Sequence, residues 1–258
     1  MNDKKIAWNG GVQPEAIDIL TADGGMIVSP TKVGYIIMTS DAAGLQRKFS
    51  AKQRNLNKPG VVLCGSMEQL RALADMNPEI DAFYQRHWDE DILLGCILPW
   101  KPDALRTIPD GAKAMMTDTR QTTCFVIRFG TPSEMIAREL WEQHGKLVFA
   151  SSANPSGRGN RGLVEGIGER IHDEADLVIA ANDYVRSIQP EGETRTRYEQ
   201  GVMVSMVDGD GKLVALQNGE RSISPAPTVI RKGLDIDRIM SLLGDAFPSW
   251  NYRHGEYY

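Results

Sequence analysis

Lys48, Lys52, Arg54 and Lys58 crowd one short stretch, KFSAKQRNLNK. Arginine grips phosphate oxygens as a planar fork and lysine acts as a point charge, so this stretch has the composition of a polyphosphate clamp. The same bases also suit a helix C-terminus, where they offset the helix dipole. A second group follows an apolar run. Leu147-Val148-Phe149-Ala150 ends in Ser151-Ser152-Ala153-Asn154-Pro155-Ser156-Gly157, and the polar segment runs on through Arg158 and Arg161 to Gly162. A plain turn takes about two to five residues. This loop is longer and carries the hydroxyls, amide and bases that bind a nucleotide. Its glycines at 157, 159 and 162 match GxGxxG, but six residues separate the motif from the strand and arginines fill its variable positions. A flexible turn is the better reading than a dinucleotide fingerprint. No GxxxxGK[ST] occurs. Two further places carry chemistry. Ser29-Pro30-Thr31-Lys32 ends a strand as a simple turn does, and also as a sheet presents hydroxyls and amides at its carboxyl edge. Arg128 sits inside the apolar segment FVIRFG. A cation there needs an ion pair within the fold or a substrate anion in a cleft.

These residues must be positioned by a folded frame, and the composition permits one. The chain has 258 residues and is 41% hydrophobic, which allows a sizeable core. A net charge of −5 speaks against a large nucleic-acid surface and against duplex DNA as a partner. No apolar stretch approaches the ~20 residues that span a bilayer. MNDKKIAWNGG lacks the apolar segment of a signal peptide, so a cytoplasmic protein is expected. Cys64, Cys96 and Cys124 lie apart in apolar runs and read as free core thiols. His87, His144, His172 and His254 show no metal-ligand spacing, so no resident metal is expected.

Strands are predicted over residues 25–29, 35–38, 61–64, 92–98, 123–129, 146–150 and 177–180. Helices are predicted from an Asp41 N-cap to about Lys52, after a Ser66/Gln69 capping box, over 78–88, over the amphipathic 133–144, over 163–172 and over 235–243. Residues 181–200 are polar and read as a surface loop. Asp208-Gly209-Asp210-Gly211 between 202–207 and 213–217 signals a hairpin. The aromatic residues of SWNYRHGEYY can dock on the body. Strands mixed with helices throughout predict an α/β layered domain.

Taken in order, these pieces resemble the YrdC family, the L-threonylcarbamoyladenylate synthases. The resemblance rests on Pro30-Thr31, Lys52-Gln53-Arg54 with Lys58-Pro59, His87-Trp88, Ile127-Arg128 and Ser152-Ala153-Asn154-Pro155-Ser156-Gly157, and spans about residues 15 to 185. It implies a twisted mixed sheet flanked by helices around a deep basic cavity. It implies ATP, Mg²⁺, bicarbonate and L-threonine as reactants, with threonylcarbamoyl-AMP and pyrophosphate as products. The adenylate then serves proteins that modify adenosine in tRNA. On this resemblance Lys52, Arg54, Ser152 and Asn154 are the catalytic residues, binding phosphates and the carbamate. Thr31 and Arg128 orient the amino acid, Tyr35, Lys58 and Ser156 line the substrate site, and Arg158 and Arg195 contact phosphate.

The sequence departs from the family pattern around the amino acid. Where the family usually reads Pro-Thr-x-Thr-x-Tyr-Gly-Leu, Val33 and Ile36 replace the second threonine and the glycine. Trp88-Asp89-Glu90-Asp91 lacks the usual prolines, and Phe129-Gly130 stands for an isoleucine-proline pair. The clamp is kept and its surroundings are altered. A paralogue that activates the carbamate of another amino acid or amine is one alternative, and a non-catalytic nucleotide- or RNA-binding protein is another. Residues 1–208 are expected to form the catalytic domain. Residues 209–258 are expected to form a hairpin and helix packed on it.

Overall fold

A computed structural model describes residues 4–53, 60–108, 110–155, 159, 161–192 and 198–253 of the chain. In chain order its elements are β1 (Lys5–Ala7), α1 (Pro14–Thr21), β2 (Met26–Thr31), β3 (Gly34–Thr39), α2 (Ala42–Lys52), β4 (Val61–Leu63), α3 (Met67–Leu73) and α4 (Pro78–Asp89). Then come β5 (Leu94–Pro99), α5 (Pro102–Thr107), α6 (Asp110–Met116), β6 (Thr122–Ile127), α7 (Thr131–His144) and β7 (Val148–Ser152). A 3₁₀ turn at Val164–Gly166 precedes α8 (Glu169–Glu174), β8 (Leu177–Ala180), α9 (Asn182–Ile188), β9 (Val202–Ser205), β10 (Thr228–Arg231), α10 (Ile236–Ala246) and β11 (Asn251–Tyr252).

Among the described residues the strands form one mixed sheet in the order β1-β8-β2-β3-β7-β4-β6-β5-β9-β10-β11. β2 and β3 make an antiparallel hairpin in which Thr31 faces Gly34, so Lys32 and Val33 are its tip. β3 then pairs antiparallel with β7, with Ile36 opposite Ser152. The sheet's twist brings the residues just beyond β6 over the hairpin tip, where the Lys32 N–H donates to the Phe129 carbonyl at 2.8 Å.

Both faces are buried. Leu45, Phe49, Phe83, Phe125 and Phe247 belong to one apolar cluster, and Ala16, Leu20, Ile136 and Leu140 pack with Ile27, Met38 and Val148 in another. Among the described residues no helix is long and apolar enough to cross a membrane. Local signals start the helices. The Asp41 carboxylate accepts from Gly44 N at 2.7 Å and caps α2. Ser66 Oγ accepts from Gln69 N, while Gln69 reaches back to Gly65 N rather than to Ser66 N.

Several expectations are corrected. β2 runs through Pro30 to Thr31 instead of stopping at Ser29. The predicted helix over 163–172 is a 3₁₀ turn followed by α8, because Gly166 and Gly168 interrupt it. Part of the predicted loop 181–200 is helix α9, whose buried side is Val185 alone. The predicted hairpin around 208–211 is reduced to one bridge, Val207 to Leu213. β9 instead pairs parallel with β5 and antiparallel with β10.

Candidate active site

The two stretches expected to bind anions are brought together at Lys52 and Ser152. Lys52 ends α2, and Ser152 ends β7. The buried Lys52 ammonium donates to the Ser152 carbonyl and lies 3.3 Å from Ser152 Oγ. Ser152 itself is exposed. Beyond it Ala153 N continues the pairing to the Tyr35 carbonyl at 2.8 Å, and Asn154 N turns back to the Ser152 carbonyl at 3.1 Å. Asn154 is buried and its Nδ2 donates to the Pro155 carbonyl at 2.9 Å. Its Oδ1, and Ser151 Oγ three residues earlier in the chain, are buried without a hydrogen-bond partner among the described residues. A buried polar atom left so costs about 1–3 kcal/mol, and a bound polar ligand removes that cost.

Thr31 and Tyr35 serve the hairpin. Thr31 Oγ1 donates to the Gly34 carbonyl at 2.8 Å and accepts from Val33 N, closing the turn. The Tyr35 hydroxyl donates to Asn182 Oδ1 and accepts from Ala181 N, each at 2.8 Å. Burial pushes its pKa up to about 12, so the phenol stays protonated. Gly130 allows the close crossing above the tip. Its φ is +126°, and a Cβ there would lie 2.9 Å from both Lys32 N and Tyr184 Oη.

Arg128 is the centre of a charged cluster that joins the hairpin tip, the end of α4 and the start of α7. Its Nε donates to the Trp88 carbonyl at 2.8 Å, and its guanidinium stacks 4.0 Å over the Trp88 ring. Glu134 Oε2 stands 3.6 Å from Arg128 Nη1, and Glu134 Oε1 accepts from Gly130 N at 2.7 Å. Asp91 stands 3.7 Å from Arg128 and 2.8 Å from the Lys32 ammonium. Arg128 and Asp91 both hold left-handed backbone, with φ of 52° and 53°. Such strain in non-glycine residues persists where the surroundings fix it, often at functional sites.

The sequence marked Lys32 only as part of the Ser29–Lys32 turn and Ser151 only as part of the hydroxyl-rich loop, and it gave no signal for Asp91 or Glu134. Arg54, Lys58, Ser156, Arg158 and Arg195 lie outside the described residues. The cysteines are not nucleophiles: all three are buried, and burial raises each thiol's pKa, that of Cys124 to about 12.

A family model described as telomere recombination, Sua5/YciO/YrdC, matches residues 20–191. A threonylcarbamoyl-AMP synthase of Pyrococcus abyssi is 25% identical over 242 residues, covering 90% of this chain and 62% of that protein. The chain thus spans less than two thirds of the length of this curated relative. A hypothetical protein of Streptococcus mutans UA159 shares 64% identity with a TM-score of 0.93 over 98% of each chain. The P. abyssi Sua5 structure complexed with L-threonine shares the fold at a TM-score of 0.61 and 21% identity, covering 89% of this chain and 56% of that one.

Proposed function

Because this chain belongs to the Sua5/YciO/YrdC family, we propose that it activates the carbamate of an amino acid on ATP and releases pyrophosphate. The observation that carries this is the meeting of Lys52 with Ser152, at a strand end where Ser151 Oγ and Asn154 Oδ1 are buried without a hydrogen-bond partner among the described residues. That arrangement offers a cation and polar side chains to an anionic ligand at one strand end. The amine of the amino acid and bicarbonate condense to a carbamate with loss of water. A carbamate oxygen attacks the α-phosphorus, the bond to the β-phosphate oxygen breaks, and pyrophosphate leaves with its electron pair. No protein nucleophile is needed, so positioning and charge neutralisation are the enzyme's task.

Lys52 and Arg54 hold phosphates, with Lys58, Arg158 and Arg195 as further phosphate contacts. Ser152, Asn154 and Ser156 bond phosphate or carbamate oxygens, in a basic cavity. Thr31 and Tyr35 fix the hairpin that presents Lys32, and Arg128 faces the amino acid. Among the described residues no group of three His, Cys, Asp or Glu side chains is placed to hold a metal. In this reading Mg²⁺ enters with the substrate, as Mg–ATP. L-threonine is the amino acid that the P. abyssi relatives support. The product is then threonylcarbamoyl-AMP, made in the cytoplasm and passed to proteins of tRNA modification. A second reading, a different amino acid, is favoured by Val33 in the threonine position and by the Lys32–Asp91 pair beside Arg128.

The test is mass spectrometry of products from Mg–ATP, labelled bicarbonate and the twenty L-amino acids. The expected result is a labelled threonylcarbamoyl adenylate with pyrophosphate. Another labelled adenylate names the substrate of the second reading, and no adenylate with any amino acid overturns both. Lys52→Ala is expected to stay folded and to lose turnover by about a hundredfold or more. Near-normal turnover in that variant removes Lys52 from the site.

A further inference from the structure

Lys32 and Arg128 are built into the fold, whereas the carboxylate that joins them is not. The Lys32 side chain is 9% exposed and that of Arg128 24%, but that of Asp91 is 65% exposed. The Asp91 backbone carbonyl also accepts from Lys32 Nζ at 2.5 Å. Lys32 therefore stays aimed even when the Asp91 carboxylate moves away. The carboxylate's second ion pair, to Arg128, is long at 3.7 Å. Glu134, by contrast, is buried and bonded to Gly130 N, so it is a fixed counter-charge. The cluster thus holds two inward cations, one permanent anion and one anion at the solvent side that can be displaced.

We propose that the Asp91 carboxylate is an internal stand-in for the carboxylate of the substrate, which displaces it from Lys32 and Arg128. This inference rests on the carbamate-activating function proposed above and deepens it. It makes the substrate an α-amino acid with a free carboxylate, because an amine without one gains nothing by displacing Asp91. It makes Lys32 a second specificity-determining cation beside Arg128. A tethered competitor lowers apparent affinity by the fraction of time it occupies the site, and tethering gives it a high effective concentration.

The test compares wild type with Asp91→Asn and Lys32→Met. Asparagine accepts left-handed backbone as readily as aspartate, so Asp91→Asn keeps the turn while removing the competing charge. Binding of the twenty L-amino acids and of L-threoninol, which lacks the carboxylate, is measured by calorimetry. Asp91→Asn is expected to bind its preferred amino acid about tenfold more tightly, with threoninol unmoved. Lys32→Met is expected to bind that amino acid about tenfold more weakly. A merely structural Asp91 would leave binding unchanged or weaken it, and either result for all twenty amino acids overturns the proposal. Calorimetry needs no turnover, so the two failures separate. Tighter binding by Asp91→Asn in a protein that makes no adenylate supports the stand-in and sinks the reaction. Adenylate formation with unaltered binding by Asp91→Asn does the reverse.

Discussion

His87 is fully buried at the end of α4, edge-on to Phe83. Its Nδ1 lies 2.7 Å from the Phe83 carbonyl and so carries the proton, leaving a bare Nε2 without a partner among the described residues. Burial pulls its pKa from 6.5 down to about 4. The folded protein thus keeps this ring neutral where the unfolded chain takes up a proton. The resulting stability is complete above about pH 6.5, falls as pH drops toward 4, and loses nothing further below that. Across the window the loss is on the order of 3 kcal/mol. Urea titrations at pH 7.5 and 4.5 of wild type and His87→Phe are expected to show wild type losing about 2–3 kcal/mol more than the variant. Parallel losses in the two proteins would place the acid sensitivity elsewhere. The sequence had shown His87 only as a neighbour of Trp88. Lys52 and Ser152 were legible because residue type, spacing and order all marked them. The Lys32–Asp91 pair was not, since the two lie 59 positions apart and nothing periodic links them.

At the scale of elements, the C-terminal end of α2 sets where Lys52 stands, because Lys52 is its last residue. The helix stops in a left-handed residue, Gln53, with φ of 49°, whose N–H returns to the Phe49 and Ser50 carbonyls. Glycine is the usual occupant of this position, and a side chain there costs on the order of 1 kcal/mol. Gln53→Gly is therefore expected to raise stability by about 0.5–1 kcal/mol, read as a higher midpoint in urea at unchanged slope. A lower midpoint would mean that the Gln53 side chain has contacts worth more than the strain. Elements with strong local signals were legible in this way: the capped start of α2, the Ser66-capped start of α3, the amphipathic α7 and the apolar strands. Elements decided by distant partners were not. The Asp-Gly-Asp-Gly turn is real, with Gly211 N bonded to the Asp208 carbonyl, and it closes a short hairpin of one antiparallel bridge, Val207 to Leu213, rather than a hairpin of two full strands. β9 itself pairs with Leu94 to Ile97 of β5 and with Thr228 to Arg231 of β10, and the bridge across the turn reaches only Val207, beyond its end. Turn chemistry is local, whereas strand pairing is chosen by the whole sheet.

At the scale of the molecule, the question is whether residues 209–258 sit on residues 1–208 or complete them. β10 continues the sheet from β9, with Val229 opposite Val204. Ile239, Leu242 and Leu243 of α10, with Phe247 just beyond it, share one buried cluster with Ile80, Phe83 and Tyr84 of α4. The Phe83 and Phe247 rings meet edge to face at 5.6 Å. Around that contact Glu79 accepts from Gln217 N and Asn218 N, and Arg238 pairs with Glu90. The helix braced in this way is the one whose end carries Trp88, with Asp91 just beyond, so the C-terminal segment supports the Arg128 cluster through α4. A chain cut after Asp208 would expose this apolar face and the edge of β9 together, and it is expected to be insoluble or to lack a cooperative transition. Phe247→Ala gives the graded version, with an expected loss of about 3–5 kcal/mol. Leu216→Ala is the control: Leu216 is 43% exposed, and truncating it is expected to change stability by about 0.5 kcal/mol or less. A soluble 1–208 fragment with a sharp unfolding transition, or a Phe247→Ala variant no weaker than the control, would show that the first 208 residues close their own core.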